Sequence, residues 1–262
     1  MHKKYLQQKQ PSCLAALSPA ASPETVFSRF TSHFSLKHKA AFTLAEVLIT
    51  LGIIGIVAAL TIPQLIAKHR AKELETGLKK SASVIQQALE MANADNGEPL
   101  TPASVNCFKF KHILAPYLKV LKDCGSGTEI GSCVPNPEAG PFRGEATATY
   151  KTYNKYTDAS HSTLDDGQLL LNDGSFLYFE NSCAVGSRVY ISVDVNGYKK
   201  GPNIWGHDLF TFQLMDNGKL LPMGAPGTAW TNMCSKTSTE RYNGIGCTSK
   251  ALSDPNYFKT LP

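Results

Sequence analysis

The sequence lacks the short motifs that mark the commonest enzyme and metal sites. It has no H-E-x-x-H pair, no G-x-x-x-x-G-K-S/T phosphate loop, no G-x-G-x-x-G dinucleotide fingerprint and no C-x-x-C pair. These absences exclude the usual zinc-protease, nucleotide-binding and zinc-ribbon sites. His161 and Ser162 near Asp165 offer a notional Ser/His/Asp set, but residues so close in sequence seldom form a triad. We therefore assign no catalytic residues and expect a protein that is not an enzyme.

Charge is also scarce, and it is unevenly distributed. Charged residues make up 18% of the 262 residues and hydrophobic residues 42%, which excludes disordered, collagen-like and polytopic membrane proteins. The net charge of +5 comes entirely from residues 1–41, because residues 42–262 hold equal numbers of acidic and basic side chains. Bulk charge therefore indicates no nucleic-acid surface on the body of the protein, and we expect no nucleic acid to be required.

Only one long apolar run is present, and it follows the basic segment. Residues 42–67 read FTLAEVLITLGIIGIVAALTIPQLIA, in which Glu46 is the only charge. A helix of this length spans roughly 39 Å, enough to cross a bilayer. The run is longer than the apolar part of a secretory signal, and no small-residue cleavage site follows it. We predict a membrane-spanning segment, 42–67, with a cytoplasmic N-terminus and an exported C-terminal side.

Glu46 is unusual because a carboxylate in an apolar helix costs about 2–3 kcal/mol to insert into a membrane, and such a group needs a partner. If the chain is cut after Ala41, the new α-amine of Phe42 lies four residues before Glu46. That amine can neutralise Glu46 within one subunit or on a neighbouring one. Residues 1–41 would then be a leader peptide that is removed.

The run Ala41-Phe-Thr-Leu-Ala-Glu46, with basic residues before it and Pro63 further along, resembles the prepilin signal of type IV pilins and type II secretion pseudopilins. The resemblance implies that a prepilin peptidase cuts between Ala41 and Phe42 and methylates the new amine. It also implies that Glu46 aids subunit docking and that Pro63 kinks the helix. The sequence departs from the family pattern at Ala41, where Gly is usual, and in its long leader.

The same resemblance implies partners and a location. The partners are the prepilin peptidase, other pilin or pseudopilin subunits in a homo- or hetero-filament, and an inner-membrane assembly platform. The precursor would be a single-pass protein of the bacterial inner membrane, and the filament would lie in the periplasm or outside the cell. The alternative function is a membrane-anchored, disulfide-containing exported domain that binds a ligand and does not polymerise.

Beyond residue 67 the pattern becomes that of an amphipathic helix. Apolar residues recur at helical spacing between Leu74 and Leu89, and Gly97 followed by Pro99 ends the pattern. We predict one helix from about residue 43 to about residue 94. Within the domain plan, 68–97 is an amphipathic stalk segment and 98–262 is the exported globular head.

The head has the pattern of an antiparallel sheet. Turn pairs such as Asn196-Gly197 separate apolar segments, and the predicted strands are Gln168–Leu171, Ser175–Glu180, Arg188–Val195 and Leu209–Met215. Alternation in the third strand favours a half-buried sheet, and the composition of 124–145 and 222–250 favours long exposed loops. The fold class is α+β: a long N-terminal helix, half transmembrane and half amphipathic, packed on an antiparallel head, a pilin-like arrangement.

Cysteine use indicates an oxidising compartment. Cys13 lies in the leader, and an even set of cysteines remains in the exported part. Such a set favours disulfides, whereas free buried thiols are the alternative. Cys124–Cys133 and Cys234–Cys247 would each close a short loop. The disulfide candidates are Cys107, Cys124, Cys133, Cys183, Cys234 and Cys247.

One segment of the head, 193–210, is rich in oxygen donors. Asp194, Asn196 and Asp208 supply hard ligands, and Gly197 permits a tight turn between them, although no Glu closes an EF-hand loop. Some pseudopilins hold calcium in a C-terminal loop, so the resemblance makes calcium the one candidate cofactor. The alternative is a structural Asn-Gly turn whose Asp side chains accept backbone amides.

Overall fold

The structure is a computed structural model that describes residues 42–105, 107–144, 150–184 and 186–262. Its longest element is α1, Leu44–Asn96, a helix of 53 residues that confirms the predicted single helix. At the C-terminal end, Gly97 has a φ of 79° and its N–H donates to the Asn93 carbonyl at 3.0 Å. The Asn93 side chain accepts the Leu100 N–H at 2.8 Å, so a glycine turn fixes where the chain leaves the helix.

The head contains a six-stranded sheet in which neighbouring strands are antiparallel and follow chain order. Its strands are β1 (Val120–Asp123), β2 (Gly167–Leu171), β3 (Phe176–Glu180), β4 (Val189–Asp194), β5 (Leu209–Leu214) and β6 (Leu220–Pro222). Two short helices, α2 (Lys109–Leu114) and α3 (Thr248–Ser253), flank the sheet in sequence. Strands β2 to β5 confirm the four predicted strands and the α+β class, and the short strands β1 and β6 are additions at the two edges.

One face of the sheet packs against α1. Leu78, Ile85 and Leu89 of the helix are at most 1% exposed. They join a cluster with alternate residues of the central strands, among them Leu177, Ile191, Val193, Phe210 and Phe212. The antiparallel register places these residues opposite one another, which is why one set of alternate positions faces the helix. Each fully buried side chain of this kind stabilises the fold by roughly 1.5–3 kcal/mol, so this contact holds the stalk segment on the head.

The opposite face of the sheet is also buried, and the expectation of a half-buried sheet is wrong. Every residue of β4 and β5 is buried. Polar side chains on this face are hydrogen-bonded to protein: Ser192 shares a hydrogen bond with Thr211 at 2.8 Å, and Tyr150 donates to Asp194 at 2.6 Å. The cover comes from loop residues distant in sequence, including Tyr150, Trp205, Met223 and Ile245. Polar alternation therefore marks a hydrogen-bonded interior face.

The segment 222–250 is an exposed loop only in its middle, around residues 231–241, and not over its whole length as its composition predicts. Met223, Asn243 and Ile245 are fully buried. The Asn243 amide donates to the Ser235 carbonyl and accepts the Ser235 N–H, both at 2.9 Å. A Cβ on Gly246 would lie 2.2 Å from the Trp230 carbonyl oxygen, so glycine is required there. The polar residues and glycines of this segment fold it onto the head by internal hydrogen bonds and close backbone contacts.

Candidate functional site

The N-terminus of α1 begins with a capping box. Glu46 Oε2 accepts hydrogen bonds from the backbone N–H and the hydroxyl of Thr43, both at 2.8 Å, and the Glu46 N–H donates to Thr43 Oγ1 at 3.2 Å. This reciprocal pattern satisfies amides of the first turn that have no partner within the helix. Thr43 is therefore a residue of the site that the sequence interpretation did not assign, although its T-x-x-E spacing before an apolar run indicates it.

The other residues of the predicted signal lie on either side of this cap. Phe42, the predicted new N-terminus, is 85% exposed, and Ala41 with the rest of the leader 1–41 lies outside the described residues. Pro63 lies inside α1, which continues past it as helix. Because proline has no N–H, the carbonyl four residues before it loses its helical donor. The kink at Pro63 stays a prediction.

The apolar residues of α1 before the stalk segment are exposed. Leu48, Ile49, Leu51, Ile53, Ile54, Ile56, Leu60, Leu65 and Ile66 are each more than half exposed. The hydroxyls of Thr50 and Thr61 donate to helix carbonyls at 2.9 Å, so neither depends on water for a partner. Within the described ranges, α1 is the one helix long and apolar enough to cross a membrane. An apolar surface this continuous requires a cover of lipid or protein.

Asp194, the last residue of β4, lies beside Asn196 and Asp208 of the β4–β5 loop, residues 195–208. Asp194 Oδ1 accepts the N–H of Asn196 at 3.2 Å and of the following glycine at 2.8 Å. Asp208 accepts the N–H of Asn203 and of the residue after it, both at 2.8 Å. These are the contacts expected of a structural turn, in which Asp side chains hold the backbone.

Both carboxylates of this loop are fully buried. Burial, together with the nearby charge of Asp208, raises the pKa of Asp194 to about 7, and burial raises the pKa of Asp208 to about 6. The amide oxygens of Asn196 and Asn203 are also buried, and neither has a hydrogen-bond donor among the residues that the structure describes. The loop thus contains carboxylate and amide oxygens, which are the ligands that Ca²⁺ prefers, and the amide oxygens are unsatisfied.

The β4–β5 loop also contacts the stalk segment of α1. Arg70 donates to the Gly201 carbonyl at 2.9 Å. Lys200 forms an ion pair with Glu73 one turn further along the helix. The β4–β5 loop, which together with Asp194 supplies the predicted ligands, is therefore one of the places where the head contacts α1.

The structure contains two disulfides. Cys124 pairs with Cys133, nine residues later, and Cys234 pairs with Cys247, thirteen residues later. These are the two short loops that the sequence spacing indicates. Cys107 and Cys183, the other two candidates, form no disulfide in the described part of the chain, and both are exposed. The alternative of free buried thiols therefore applies to none of these six cysteines, because four are disulfide-bonded and the other two are exposed.

A second acidic cluster joins the start of β2 to the end of β3. Carboxylate oxygens of Asp165, Asp166 and Glu180 lie within 4.8 Å of one another. The register that sets Gly167 opposite Phe179 brings these side chains together, which the sequence interpretation did not assign. Burial and the charges of Asp166 and Asp165 raise the pKa of Glu180 to about 8. Burial and the neighbouring carboxylates thus disfavour the charged form of Glu180, and a proton on Glu180 would relieve the repulsion in the cluster.

Comparison with known families identifies the N-terminal segment. Residues 36–62 match the prokaryotic N-terminal methylation motif, a range that includes Ala41, Phe42 and Glu46. No curated protein and no solved structure gives a significant match to the chain. The chain therefore carries the prokaryotic N-terminal methylation motif at the start of a long helix, in a protein of α+β fold.

Proposed function

We propose that this protein is a prepilin-like subunit, cut between Ala41 and Phe42 and methylated on Phe42, that assembles into a type II secretion pseudopilus or a type IV pilus. The observation that carries the proposal is the methylation motif over residues 36–62, which continues into a helix with exposed apolar side chains. The proposed partners are a prepilin peptidase, an inner-membrane assembly platform and other subunits of this class. The precursor is proposed to span the inner membrane once, with its head exported.

Assembly would move the apolar helix from lipid into a bundle of similar helices. Packing against neighbouring subunits replaces contact with lipid, so the apolar side chains stay out of water throughout. The head has a structural role in this proposal and no catalytic one. Its contacts with Arg70 and Glu73 hold the stalk segment, which keeps the head attached to the helix that packs in the filament.

Glu46 would set the register between subunits. A charge left unpaired in an apolar bundle is costly, so the packing in which the methylated amine of Phe42 on a neighbouring subunit meets Glu46 is favoured. Both donors of Thr43 reach the same oxygen, Oε2. We therefore assign Oε1 to the intersubunit pair.

Substitution of Glu46 separates capping from charge pairing. Gln keeps an oxygen that can accept from Thr43 but has no charge, whereas Ala removes both functions. We expect both Glu46→Ala and Glu46→Gln to be cut and methylated normally, and to be strongly depleted from sheared filaments. The measurement is the ratio of subunit in the filament fraction to subunit in the membrane fraction.

Glu90→Gln is the matched control, because Glu90 is an exposed acid further along the same helix. It should leave the filament fraction unchanged. A normal filament fraction for Glu46→Gln would contradict the charge pair and leave Glu46 only its capping role. Complete processing of the unaltered protein without any recovery in filaments would favour the alternative, an anchored ligand-binding domain.

We also propose that the β4–β5 loop binds Ca²⁺ through Asp194, Asn196 and Asp208. The buried and unsatisfied amide oxygens of Asn196 and Asn203 support this proposal, as does the proximity of two buried carboxylates. Because the same loop contacts Arg70 and the stalk segment, a bound ion would stiffen the attachment of the head to α1.

A further inference from the structure

The two exposed cysteines lie on segments that are held together by hydrogen bonds. Cys107 directly precedes Phe108, whose N–H donates to the Asn181 carbonyl at 3.0 Å. The N–H of Phe110 donates to the side-chain oxygen of Asn181 at 3.1 Å. Asn181 is buried and lies two residues before Cys183. The backbone on both sides is therefore fixed by a buried contact immediately beside the two thiols.

The two thiols also lie near each other. A hydrogen bond to the Cys107 sulfur is the main cause that raises the pKa of the Cys183 thiol. Both side chains are exposed, so a second protein can reach them. The other four cysteines of residues 42–262 are already paired, and these two are the remaining pair.

We infer that Cys107 and Cys183 form a third disulfide, which joins the segment before α2 to the segment after β3. This inference rests on the proposed export of the head, because the cytoplasm would keep these thiols reduced. The resulting link would join positions much further apart in sequence than the separations of nine and thirteen residues that the other two disulfides span. In the chain-entropy account, a longer closed loop restricts the unfolded chain more strongly.

The oxidation needs an acceptor for two electrons, which we assign to the disulfide of an exported thiol–disulfide oxidase. One thiolate of the pair attacks this disulfide, which breaks its S–S bond and forms a mixed disulfide. The second thiolate then attacks the cysteine sulfur of the head in this mixed disulfide. This attack forms the Cys107–Cys183 bond and releases the oxidase as a dithiol. Two thiol protons are lost from the head, and the two electrons reside in the reduced oxidase.

The test is differential alkylation of the full chain, purified from its native membrane without reductant. Free thiols are blocked with iodoacetamide under denaturing conditions, and peptides are then mapped by mass spectrometry before and after reduction. We expect a Cys107–Cys183 linked peptide and less than a tenth of either residue alkylated before reduction. In the Cys107→Ser variant, Cys183 should become fully alkylated, while Cys124, Cys133, Cys234 and Cys247 stay protected.

The alkylation of the four cysteines in the other two disulfides shows whether a negative result refutes the third disulfide or the proposed export. If those four are protected and Cys107 and Cys183 are both alkylated, the head is oxidised and the third disulfide is refuted. If all six are alkylated, the head has not met an oxidising compartment, which contradicts the proposed export as well. A linkage of either cysteine to glutathione or to another chain would also overturn the assignment.

Discussion

Asp194 and Asp208 connect the stability of the head to pH and, if the proposed calcium binding holds, to a bound cation. Their folded pKa values, about 7 and about 6, lie above the ordinary aspartate value of 3.8. Between these values the native state holds protons that the unfolded state has released, so these two groups lower the free energy of unfolding as pH rises from about 4 to about 7. A Ca²⁺ ion bound at the β4–β5 loop would take the place of these protons and restore stability at neutral pH.

We therefore expect millimolar CaCl₂ to raise the melting temperature of the detergent-purified protein by a few degrees at neutral pH, and to have little effect in mild acid, where the carboxylates are protonated. The Asp208→Asn variant should lose this response. Asp216→Asn removes the charge of an exposed acid just after β5, and this control variant should keep the response to CaCl₂. Equal melting temperatures in CaCl₂, MgCl₂ and EDTA at neutral pH would contradict calcium binding and leave the loop a structural turn.

Single residues were predictable where their neighbours in sequence determine their role. The spacing of Asp194, Asn196 and Asp208 in a glycine turn pointed to one loop, and the structure places all three there. The place of Asn203 among the buried oxygen atoms of this loop was not predictable, because its amide oxygen loses water as a partner only once the folded loop buries it. The raised pKa of Asp194 likewise follows from its burial in the folded head, although the hydroxyl of Tyr150, far away in sequence, donates to Asp194 and by itself lowers this pKa.

Among the elements, the contact between α1 and the sheet depends on a few apolar side chains. Ile85 is 1% exposed and lies in the cluster that joins the helix to the central strands. Ile85→Ala leaves a cavity there and should lower the free energy of unfolding by about 2–5 kcal/mol. Met91 lies on the same helix but is 45% exposed, so Met91→Ala should cost less than about 1 kcal/mol.

Denaturant unfolding of both variants, followed by near-ultraviolet circular dichroism in detergent, measures this difference. The Ile85→Ala transition should move to clearly lower denaturant, and the Met91→Ala transition should stay close to that of the unaltered protein. Equal shifts for the two variants would mean that the stalk segment does not depend on this buried face for its attachment to the head.

The sequence predicts elements well where their pattern is local and long. The apolar and amphipathic periods predict α1, and Asn-Gly turns with intervening apolar runs predict β2 to β5. The edge strands β1 and β6 are only four and three residues long, too short for a periodic signal. The burial of both sheet faces was mispredicted because Trp205, Met223 and Ile245 cover the polar face through contacts between distant segments.

The whole molecule combines two surfaces with opposite solvent requirements. The residues before the stalk segment expose apolar side chains, whereas the head buries its apolar residues on both faces of the sheet. The first surface is stable only in lipid or against other helices, and this requirement is what the proposed passage from membrane to filament would meet. At this scale the sequence was most informative, because the motif at 36–62 and the apolar run are both contiguous.

The most direct test of this account is the mass of the mature N-terminus. We would purify the protein from its native membrane and measure the intact chain and its N-terminal peptide by mass spectrometry. The account predicts a chain that begins at Phe42 and carries one additional methyl group on its α-amine. A chain that still contains Lys37 and the residues before it would contradict processing at Ala41 and, with it, the proposed filament subunit.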